Sequence, residues 1–243
     1  MNPNEILEEP SGVLVIDKAG DFTSHDVVAV CRRALKTKKI GHCGTLDPMA
    51  TGLLMLVVGR ATKIQDLLMS EDKEYRGTLT LGKTTSSQDK EGEVITELPV
   101  GDLTEQDIRA AFDAFLGDFE QIPPMVSAIK INGVPLYKMA RKGQEVERKP
   151  RAVKVFGYEI HRIELPEVEF TVRCTKGFYV RTYAHEIGQK LGCGAHLSAL
   201  RRTRSGKFTL DRAVTIDELK KSPREELIPR LISLAEISLM RGV

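Results

Sequence analysis

The segment 41–52 constrains the fold most, because it holds three glycines and one proline within twelve residues. Such a segment cannot be regular secondary structure throughout. It lies between a helical pattern and a short apolar run at 53–58 that is typical of a buried strand. Pro48 fixes its own φ and pushes Asp47 towards an extended conformation, which presents that carboxylate rigidly. The sequence therefore predicts a bent loop that carries one acid.

Two interpretations of this loop stay open on spacing alone. In the functional one, Asp47 is a working carboxylate, and five cations just upstream at 32–39, with no acid among them, hold phosphates. In the structural one, Asp-Pro is a common turn pair and His42 is an ordinary surface imidazole. The same residues serve both interpretations.

The rest of the chain mixes strands and helices without strict βαβ alternation, which predicts a mixed α+β fold. Ser24 is expected to cap a first helix, and Thr104 with Asp107 resembles a capping box. A polar loop is expected at 83–91. Further helices are predicted at about 61–69 and 180–190, with two short ones near the end, and strands at 12–17, 53–58, 75–81, 153–163, 168–174 and 206–210.

Composition excludes several classes of protein. Hydrophobic residues make up 41% and charged residues 29% of the chain, so it is neither disordered nor fibrous. The net charge of +2 does not by itself indicate a nucleic-acid partner. The acidic start is unlike a signal peptide and no apolar run is long enough to span a bilayer, so we expect a soluble, cytoplasmic protein. The four cysteines form no CxxC pair, which argues for reduced, buried thiols.

Residues 77–84 fit the phosphate-loop pattern G-x-x-x-x-G-K-[ST] letter for letter. A true phosphate loop coils its middle residues so that backbone N–H groups point at phosphates, and a helix follows. Here the middle residues alternate as Thr-Leu-Thr-Leu, in continuity with Tyr75, and no apolar helical face follows. The nucleotide-binding interpretation is therefore disfavoured.

Residues 41–54 read G-H-x-G-T-L-D-P-x-A-T-G-x-L, which resembles the signature of the TruB family of tRNA pseudouridine synthases. Further stretches match the family in the same order, so that the resemblance covers roughly residues 11–210. These stretches are 12–18 with Thr23-Ser24, 59–63, 73–75, 81–92, 121–140, 174–181 and 200–206.

The resemblance implies a mixed, mostly antiparallel central sheet flanked by helices, and the isomerisation of uridine to pseudouridine at position 55 in the T-loop of tRNA. This reaction breaks the N1–C1′ bond, rotates the detached base and bonds its C5 to C1′. No electrons or groups are exchanged, so neither a cofactor nor a metal is expected. A carboxylate could attack C1′ or C6 as a nucleophile or remove a ribose proton as a base, and the sequence does not choose among these routes.

The resemblance also implies the catalytic residues. Asp47 takes the role of the catalytic carboxylate, and Arg181 is expected to pair with it and favour its ionised form. Tyr75 resembles the tyrosine that stacks on the target base and helps to remove the C5 proton. The structural alternative for Arg181 is an arginine on a helix surface, and the structural alternative for Tyr75 is an aromatic residue of the core.

Four more residues are implied as substrate-binding. Tyr179 and Leu200 resemble residues that line the uridine pocket, with simple core packing as the alternative. His42 resembles the residue that fills the space left when the base is extruded from the loop. Lys18, at a strand end near the site, is either structural or phosphate-binding.

Affinity for RNA is expected to come mainly from cations that accompany the site motifs along the chain, although charge runs are usually just solvated faces. The expected partner is the T-stem-loop of tRNA, which a monomer of this protein is expected to bind. No association with a membrane is expected. The expected RNA-binding cations are Arg32, Arg33, Lys38, Lys39, Arg141, Lys149, Arg201 and Arg202.

The resemblance implies a catalytic domain over 1–210, with an RNA-closing insertion at about 122–152, and a helical extension over 211–243. No room is left for the C-terminal RNA-binding (PUA) domain that many bacterial members carry. The main alternative function is a non-catalytic RNA-binding or RNA-chaperone module on the same fold, because holding tRNA needs the basic faces but not Asp47.

The sequence departs from the family pattern at four positions. Ala19 and Asp21 stand where proline and glycine are usual, which is expected to alter a turn. Phe178 stands where a small or polar residue is common, and Glu186 replaces an aspartate. None of these is the proposed catalytic group.

Overall fold

The computed structural model describes residues 9–127, 129–131, 133–140 and 142–242. The chain divides into two compact units, the first formed by Met1–Glu71 with Arg202–Val243 and the second by Asp72–Arg201. Across the described ranges, no helix combines the length and the apolar character that crossing a membrane requires.

Strands and helices follow one another irregularly along the chain. The strands are β1 (Gly12–Lys18), β2 (Ile40–His42), β3 (Thr51–Val58), β4 (Lys73–Leu81), β5 (Lys83–Thr85), β6 (Val94–Glu97), β7 (Gly117–Gln121), β8 (Lys130–Ile131), β9 (Val134–Pro135), β10 (Arg151–Glu164), β11 (Glu167–Cys174), β12 (Ala195–Ser205) and β13 (Val214–Thr215). The helices are α1 (Ser24–Ala34), α2 (Gln65–Met69), α3 (Glu105–Asp113), α4 (Leu136–Ala140), α5 (Val180–Lys190), α6 (Ile216–Lys221), α7 (Arg224–Leu227) and α8 (Leu234–Arg241).

In the first unit, the neighbouring strands are β13, β1, β3 and the end of β12, and β2 pairs with β3. Strand β1 runs antiparallel to β3 and parallel to β13. Both β1 and β3 are buried along nearly their whole length, which explains their continuous apolar sequences. Val13, Met55 and Val57 belong to a core cluster with Phe208 and Ile232. The loop between β2 and β3 therefore starts and ends on a buried sheet.

In the second unit, the order is β12, β4, β11, β10 and β7, and β4, β11, β10 and β7 pair antiparallel in turn. An aromatic cluster packs α3 and α5 against this sheet. Phe112 of α3 lies edge-on to Phe170 of β11 and Tyr183 of α5, with ring centroids 5.3 and 5.7 Å apart. Phe178, one of the departures from the family pattern, is buried and joins this cluster against Tyr183.

The mixed α+β fold predicted from the sequence is confirmed, with a largely antiparallel sheet and flanking helices. Helix α5 has the predicted bounds, and Thr104 forms the predicted capping box at the start of α3. Residues 77–81 belong to β4, so the segment that fits the phosphate-loop pattern is a strand and cannot cradle phosphates.

Several local predictions are wrong. Thr23, not Ser24, caps α1, because its hydroxyl and the Asp26 carboxylate form the capping box. The strand expected at 206–210 is a turn and the start of a 3₁₀ helix, since β12 ends at Ser205. The helix expected at about 61–69 is divided into a 3₁₀ turn over Gly59–Ile64 and α2. The polar loop at 83–91 starts with β5, which pairs with β6.

Candidate active site

The Asp47 loop (residues 43–50) is bonded on both sides of the half-buried Asp47. Before it, the Ser24 hydroxyl accepts from the Leu46 N–H at 2.9 Å and donates to the Leu46 carbonyl at 3.2 Å. After it, the Pro48 carbonyl accepts from the Asp21 N–H at 3.0 Å. The backbone that carries the carboxylate is therefore fixed from two directions, which limits how far Asp47 can move.

Lys18 is fully buried at the end of β1. Its ammonium donates to three backbone carbonyls, those of Phe22 at 2.6 Å, Ala19 at 2.9 Å and Pro48 at 3.1 Å. A buried cation held in this way joins the turn after β1 to the Asp47 loop. The geometry supports the structural alternative for Lys18 and disfavours its expected contact with phosphate.

Asp21 adopts φ +66°, in the left-handed region that favours glycine. The resemblance predicted that an aspartate at this position alters the turn. The backbone conformation is instead the one a glycine would be chosen for, because Asp is among the few other residues that tolerate it. The Asp21 N–H is thereby directed at the Pro48 carbonyl.

His42, the last residue of β2, is half-buried and contacts the exposed His25 edge-on, with ring centroids 5.2 Å apart. Burial lowers the pKa of His42 to about 4, and the neighbouring His25 and Arg202 act in the same direction. The ring is therefore neutral at physiological pH, with a buried Nδ1 that has no hydrogen-bond partner among the described residues. A neutral, flat ring suits stacking on nucleobases.

Arg202 was predicted to bind RNA from the surface, and this prediction is wrong. Its side chain is buried, and its guanidinium donates to the Leu53 carbonyl at 2.7 Å and to the Gly44 carbonyl at 3.3 Å. Successive side chains of a strand point to opposite faces, so Arg201 and Arg202 differ in environment. Arg202 attaches β12 to β3 and to the Asp47 loop.

The other expected RNA-binding cations lie nearer the solvent. Arg201 is half-buried, and Arg141 lies outside the described residues. Arg32 also donates to the Ile40 carbonyl at 3.0 Å, which orients part of its side chain. The exposed cations of the set are Arg32, Arg33, Lys38, Lys39 and Lys149.

In the second unit, Arg181 lies in the first turn of α5 with only 2% of its surface exposed. Its guanidinium donates to the Ser87 carbonyl at 2.9 Å and to the Val126 carbonyl at 2.8 Å. It also forms an ion pair with Asp89, with 3.4 Å between Nη1 and Oδ2. The expected pairing of Arg181 with Asp47 stays a prediction.

The ion pair of Asp89 with Arg181 was not predicted, although Asp89 lies in the stretch 81–92 that matches the family pattern. Its other oxygen, Oδ1, accepts from the Ser87 hydroxyl at 2.5 Å and from the Glu91 N–H at 3.0 Å, so the buried carboxylate is oriented before it meets Arg181. The sequence gives little signal for this role, because a polar stretch with Ser, Gln and Asp is typical of a solvated turn.

Three residues are expected to contact the uridine, Tyr75 as a catalytic residue and Tyr179 and Leu200 as residues that line its pocket. Tyr75 is half-buried on β4, opposite Val172 of β11. Leu200 is buried on β12, and Tyr179 is the half-buried residue that precedes α5. Their roles as uridine contacts stay predictions, as does the alternative of core packing for Tyr179 and Leu200.

The described residues contain no group of three or more His, Cys, Asp or Glu side chains that could hold a metal ion. All four cysteines are free and buried, as predicted. Burial raises the pKa of the Cys31 thiol to about 12 and raises that of Cys174 as well, so these thiols are poor nucleophiles.

Solved structures of similar fold include chains from multi-protein complexes. The chain is similar to a protein in "Crystal structure of the archaeal box H/ACA sRNP Nop10-Cbf5 complex", with 33% identity and a TM-score of 0.65 over 88% of this chain. It is 30% identical, with a TM-score of 0.67, to one in "Crystal Structure of a Cbf5-Nop10-Gar1 Complex". The chain spans 54% and 67% of those two chains.

Family comparison matches residues 32–180 to "TruB family pseudouridylate synthase (N terminal domain)" and residues 181–239 to "tRNA pseudouridylate synthase B C-terminal domain". The fold is therefore that of a pseudouridylate synthase. Similar curated proteins, both named tRNA pseudouridine synthase B, occur in Opitutus terrae, at 58% identity over 93% of both chains, and in Geobacter sulfurreducens, at 50% identity over 86% of this chain and 69% of that protein. The chain belongs to the TruB family.

Proposed function

We propose that this protein isomerises uridine to pseudouridine in tRNA, at position 55 of the T-loop, with Asp47 as the catalytic carboxylate. The observation that carries this proposal is the Asp47 loop itself, a half-buried acid on a backbone fixed from both sides, in a chain of the TruB family. A reacting carboxylate must be held in a productive geometry, and a fixed loop provides this.

The carboxylate acts by one of three routes, attack on C1′, attack on C6 or removal of a ribose proton. The proposed partners in the second unit are Tyr75, which stacks on the target base, and Arg181, which favours the ionised form of Asp47. Tyr179 and Leu200 line the uridine pocket in this proposal. His42 occupies the space that the extruded base leaves, and its neutral ring supports that role.

The proposed partner is the T-stem-loop of tRNA, bound by a monomer in the cytoplasm, where tRNA is found. Exposed cations at 32–39 and at Lys149 supply affinity for the phosphate backbone. In the proposed domain organisation, residues 1–210 form the catalytic domain, about 122–152 close on the RNA, and 211–243 form a helical extension.

The test is release of tritium from tRNA labelled at uridine C5, measured without added metal or ATP. Asp47→Ala and Asp47→Asn should lower the rate by about a thousandfold or more, because the reacting group itself is removed. Both variants should still bind tRNA, since the exposed cations are unchanged. Asp66→Asn, which alters an exposed acid of the same unit, should release tritium at the rate of the unchanged protein.

Tritium release that survives Asp47→Ala would overturn the catalytic assignment. Binding of tRNA without any release by the unchanged protein would instead favour the non-catalytic RNA-binding alternative. Release that requires ATP and Mg²⁺ would contradict the chemistry proposed here.

A further inference from the structure

Gln121 is the last residue of β7, and 1% of its surface is exposed. Its side-chain amide bonds both backbone groups of Tyr179, which lies 58 residues further along the chain. Oε1 accepts from the Tyr179 N–H at 2.8 Å, and Nε2 donates to the Tyr179 carbonyl at 3.2 Å. A single amide thus pairs with this residue as a neighbouring strand would.

The bonded residue stands at a change of backbone conformation. Tyr179 has φ −107° and ψ 107°, which is extended, and α5 begins at the next residue. The Tyr179 side chain does not cap the helix, while its carbonyl also accepts the first helical hydrogen bond, from the Tyr183 N–H at 3.0 Å. Gln121 therefore fixes the point at which the chain turns into α5.

The same segment makes a second contact with the start of α5. The Val126 carbonyl accepts from the Arg181 guanidinium at 2.8 Å. Pro123 and Pro124 lie between the two contacts and restrict the backbone that joins them. One short, stiff segment thus touches both Tyr179 and Arg181.

Glu186, in the second turn of α5, lies near enough to the Gln121 side chain to interact with it. Its Oε2 is buried and has no hydrogen-bond partner among the described residues. Burial raises the pKa of this carboxyl to about 7, and the neighbouring Gln121 amide acts against that rise. A carboxylate accepts from an amide N–H, so Glu186 favours the amide orientation in which Nε2 and not Oε1 faces it.

We propose that Gln121, oriented by Glu186, is a positioning residue that fixes the backbone of Tyr179. The backbone positions from which the Tyr179 and Arg181 side chains extend are thereby fixed as well. The inference rests on the proposed function, because Tyr179 and Arg181 are proposed to act on the uridine. Misplacement of such groups by about 1 Å costs up to about 100-fold in rate.

The central variant is Gln121→Met, which keeps the length of the side chain and removes the amide. The single-turnover rate of tritium release, with enzyme in excess, should fall by about 10- to 100-fold. The Kd for tRNA should stay within about twofold, because no exposed cation is changed. Gln189→Met, an exposed glutamine of α5, is the matched control and should keep both values.

A second pair of variants tests the orienting role of Glu186. Gln121→Glu removes the donor to the Tyr179 carbonyl and places a second carboxylate beside Glu186, so the rate should fall as well. Adding Glu186→Gln restores one amide and one carboxylate in contact, and the double variant should recover part of the lost rate. A general loss of packing would not be reversed by the second substitution. The single variant Gln121→Glu and its double variant with Glu186→Gln therefore test the positioning role even if Gln121→Met fails to fold.

Hydrogen exchange of the Tyr179 amide provides a readout that does not depend on activity. Exchange should accelerate by about tenfold or more in Gln121→Met, because its acceptor is lost. Unchanged exchange, an unchanged single-turnover rate, or weaker tRNA binding at an unchanged rate would each overturn the inference. Absence of tritium release by the unchanged protein would instead overturn the proposed function. The rate of hydrogen exchange at the Tyr179 amide would still test the contact between Gln121 and Tyr179.

Discussion

The two regions that carry the proposed site each contain a buried cation, but they use it differently. In the Asp47 loop, Lys18 donates to three backbone carbonyls, one of which belongs to Pro48. At the start of α5, Arg181 donates to two carbonyls and also pairs with the buried Asp89. The ammonium contacts three backbone dipoles, and the guanidinium contacts a full negative charge in addition to its two carbonyls.

The difference follows from the geometry of the two side chains. An ammonium is a compact group whose three donors spread over nearby carbonyls, while a planar guanidinium reaches several segments at once. Lys18 therefore joins the turn after β1 to the Asp47 loop, and Arg181 joins the 87–89 and 126 segments to α5. We expect that removing the Asp89 carboxylate from Arg181 lowers the free energy of unfolding more than removing the Lys18 ammonium from its three carbonyls.

The largest effect on the free energy of unfolding is expected from Asp89→Ala, which removes the ion pair with Arg181. The guanidinium of Arg181 would lose this carboxylate, and breaking a buried ion pair typically costs about 3–5 kcal/mol. Urea unfolding of the variant should show this loss in the free energy of unfolding. Asp102→Ala, at an exposed acid of the same unit, should change it by less than about 0.5 kcal/mol. A cost below about 1 kcal/mol for Asp89→Ala would show that the ion pair does not hold the region.

A smaller loss is expected from Lys18→Met, which removes the donor from three carbonyls. Buried acceptors left without partners cost about 1–3 kcal/mol, so the free energy of unfolding should fall by about that amount. Lys38→Met, at an exposed cation, should leave stability unchanged and flatten the salt dependence of tRNA binding by about 0.7–0.9 in slope. If Lys18→Met flattened the slope as well, its assignment as a structural residue would fail.

The smallest effect concerns the neutral ring beside the Asp47 loop. The pKa of His42 is about 4 in the folded protein and about 6.5 in an unfolded chain, so the unfolded state binds the extra proton between these values. The contribution of His42 to the free energy of unfolding should therefore rise with pH from about 4 to 6.5 and then level off. After allowance for partial solvent exposure, the pKa shift of His42 changes the free energy of unfolding by about 1–2 kcal/mol across this pH range.

His42→Gln should remove this contribution, so the difference in unfolding free energy between the unchanged protein and the variant should grow across that window. His161→Gln, which removes an exposed histidine, is the reference. A His42 ring that protonates near pH 6.5 in NMR titration would contradict the burial argument.

Local patterns predicted the elements whose signals lie within a few residues. The helical spacing of α5 and the Thr104 capping box are of this kind, because periodicity and caps act over one or two turns. The choice between Thr23 and Ser24 is different. Both carry a hydroxyl, and Ser24 is withheld from capping by Leu46, a partner 22 residues away that no local pattern reveals.

Buried charge is the other limit of sequence reasoning. Arg202 lies among Arg201, Thr203 and Arg204, a run that favours a solvated surface, and its acceptor at Leu53 is 149 residues away. Strand β12 was missed at 195–205 for the same reason, since an inward arginine hides the alternation of a strand. The Gln121 contact with Tyr179 likewise depends on pairing between distant segments.

The left-handed conformation of Asp21 has a practical consequence for recognising relatives. A search pattern that demands glycine at this turn would overlook chains such as this one, although Asp21 adopts the left-handed conformation that favours glycine. A pattern that instead admits any amino acid tolerant of positive φ, with aspartate and asparagine foremost, would retain them.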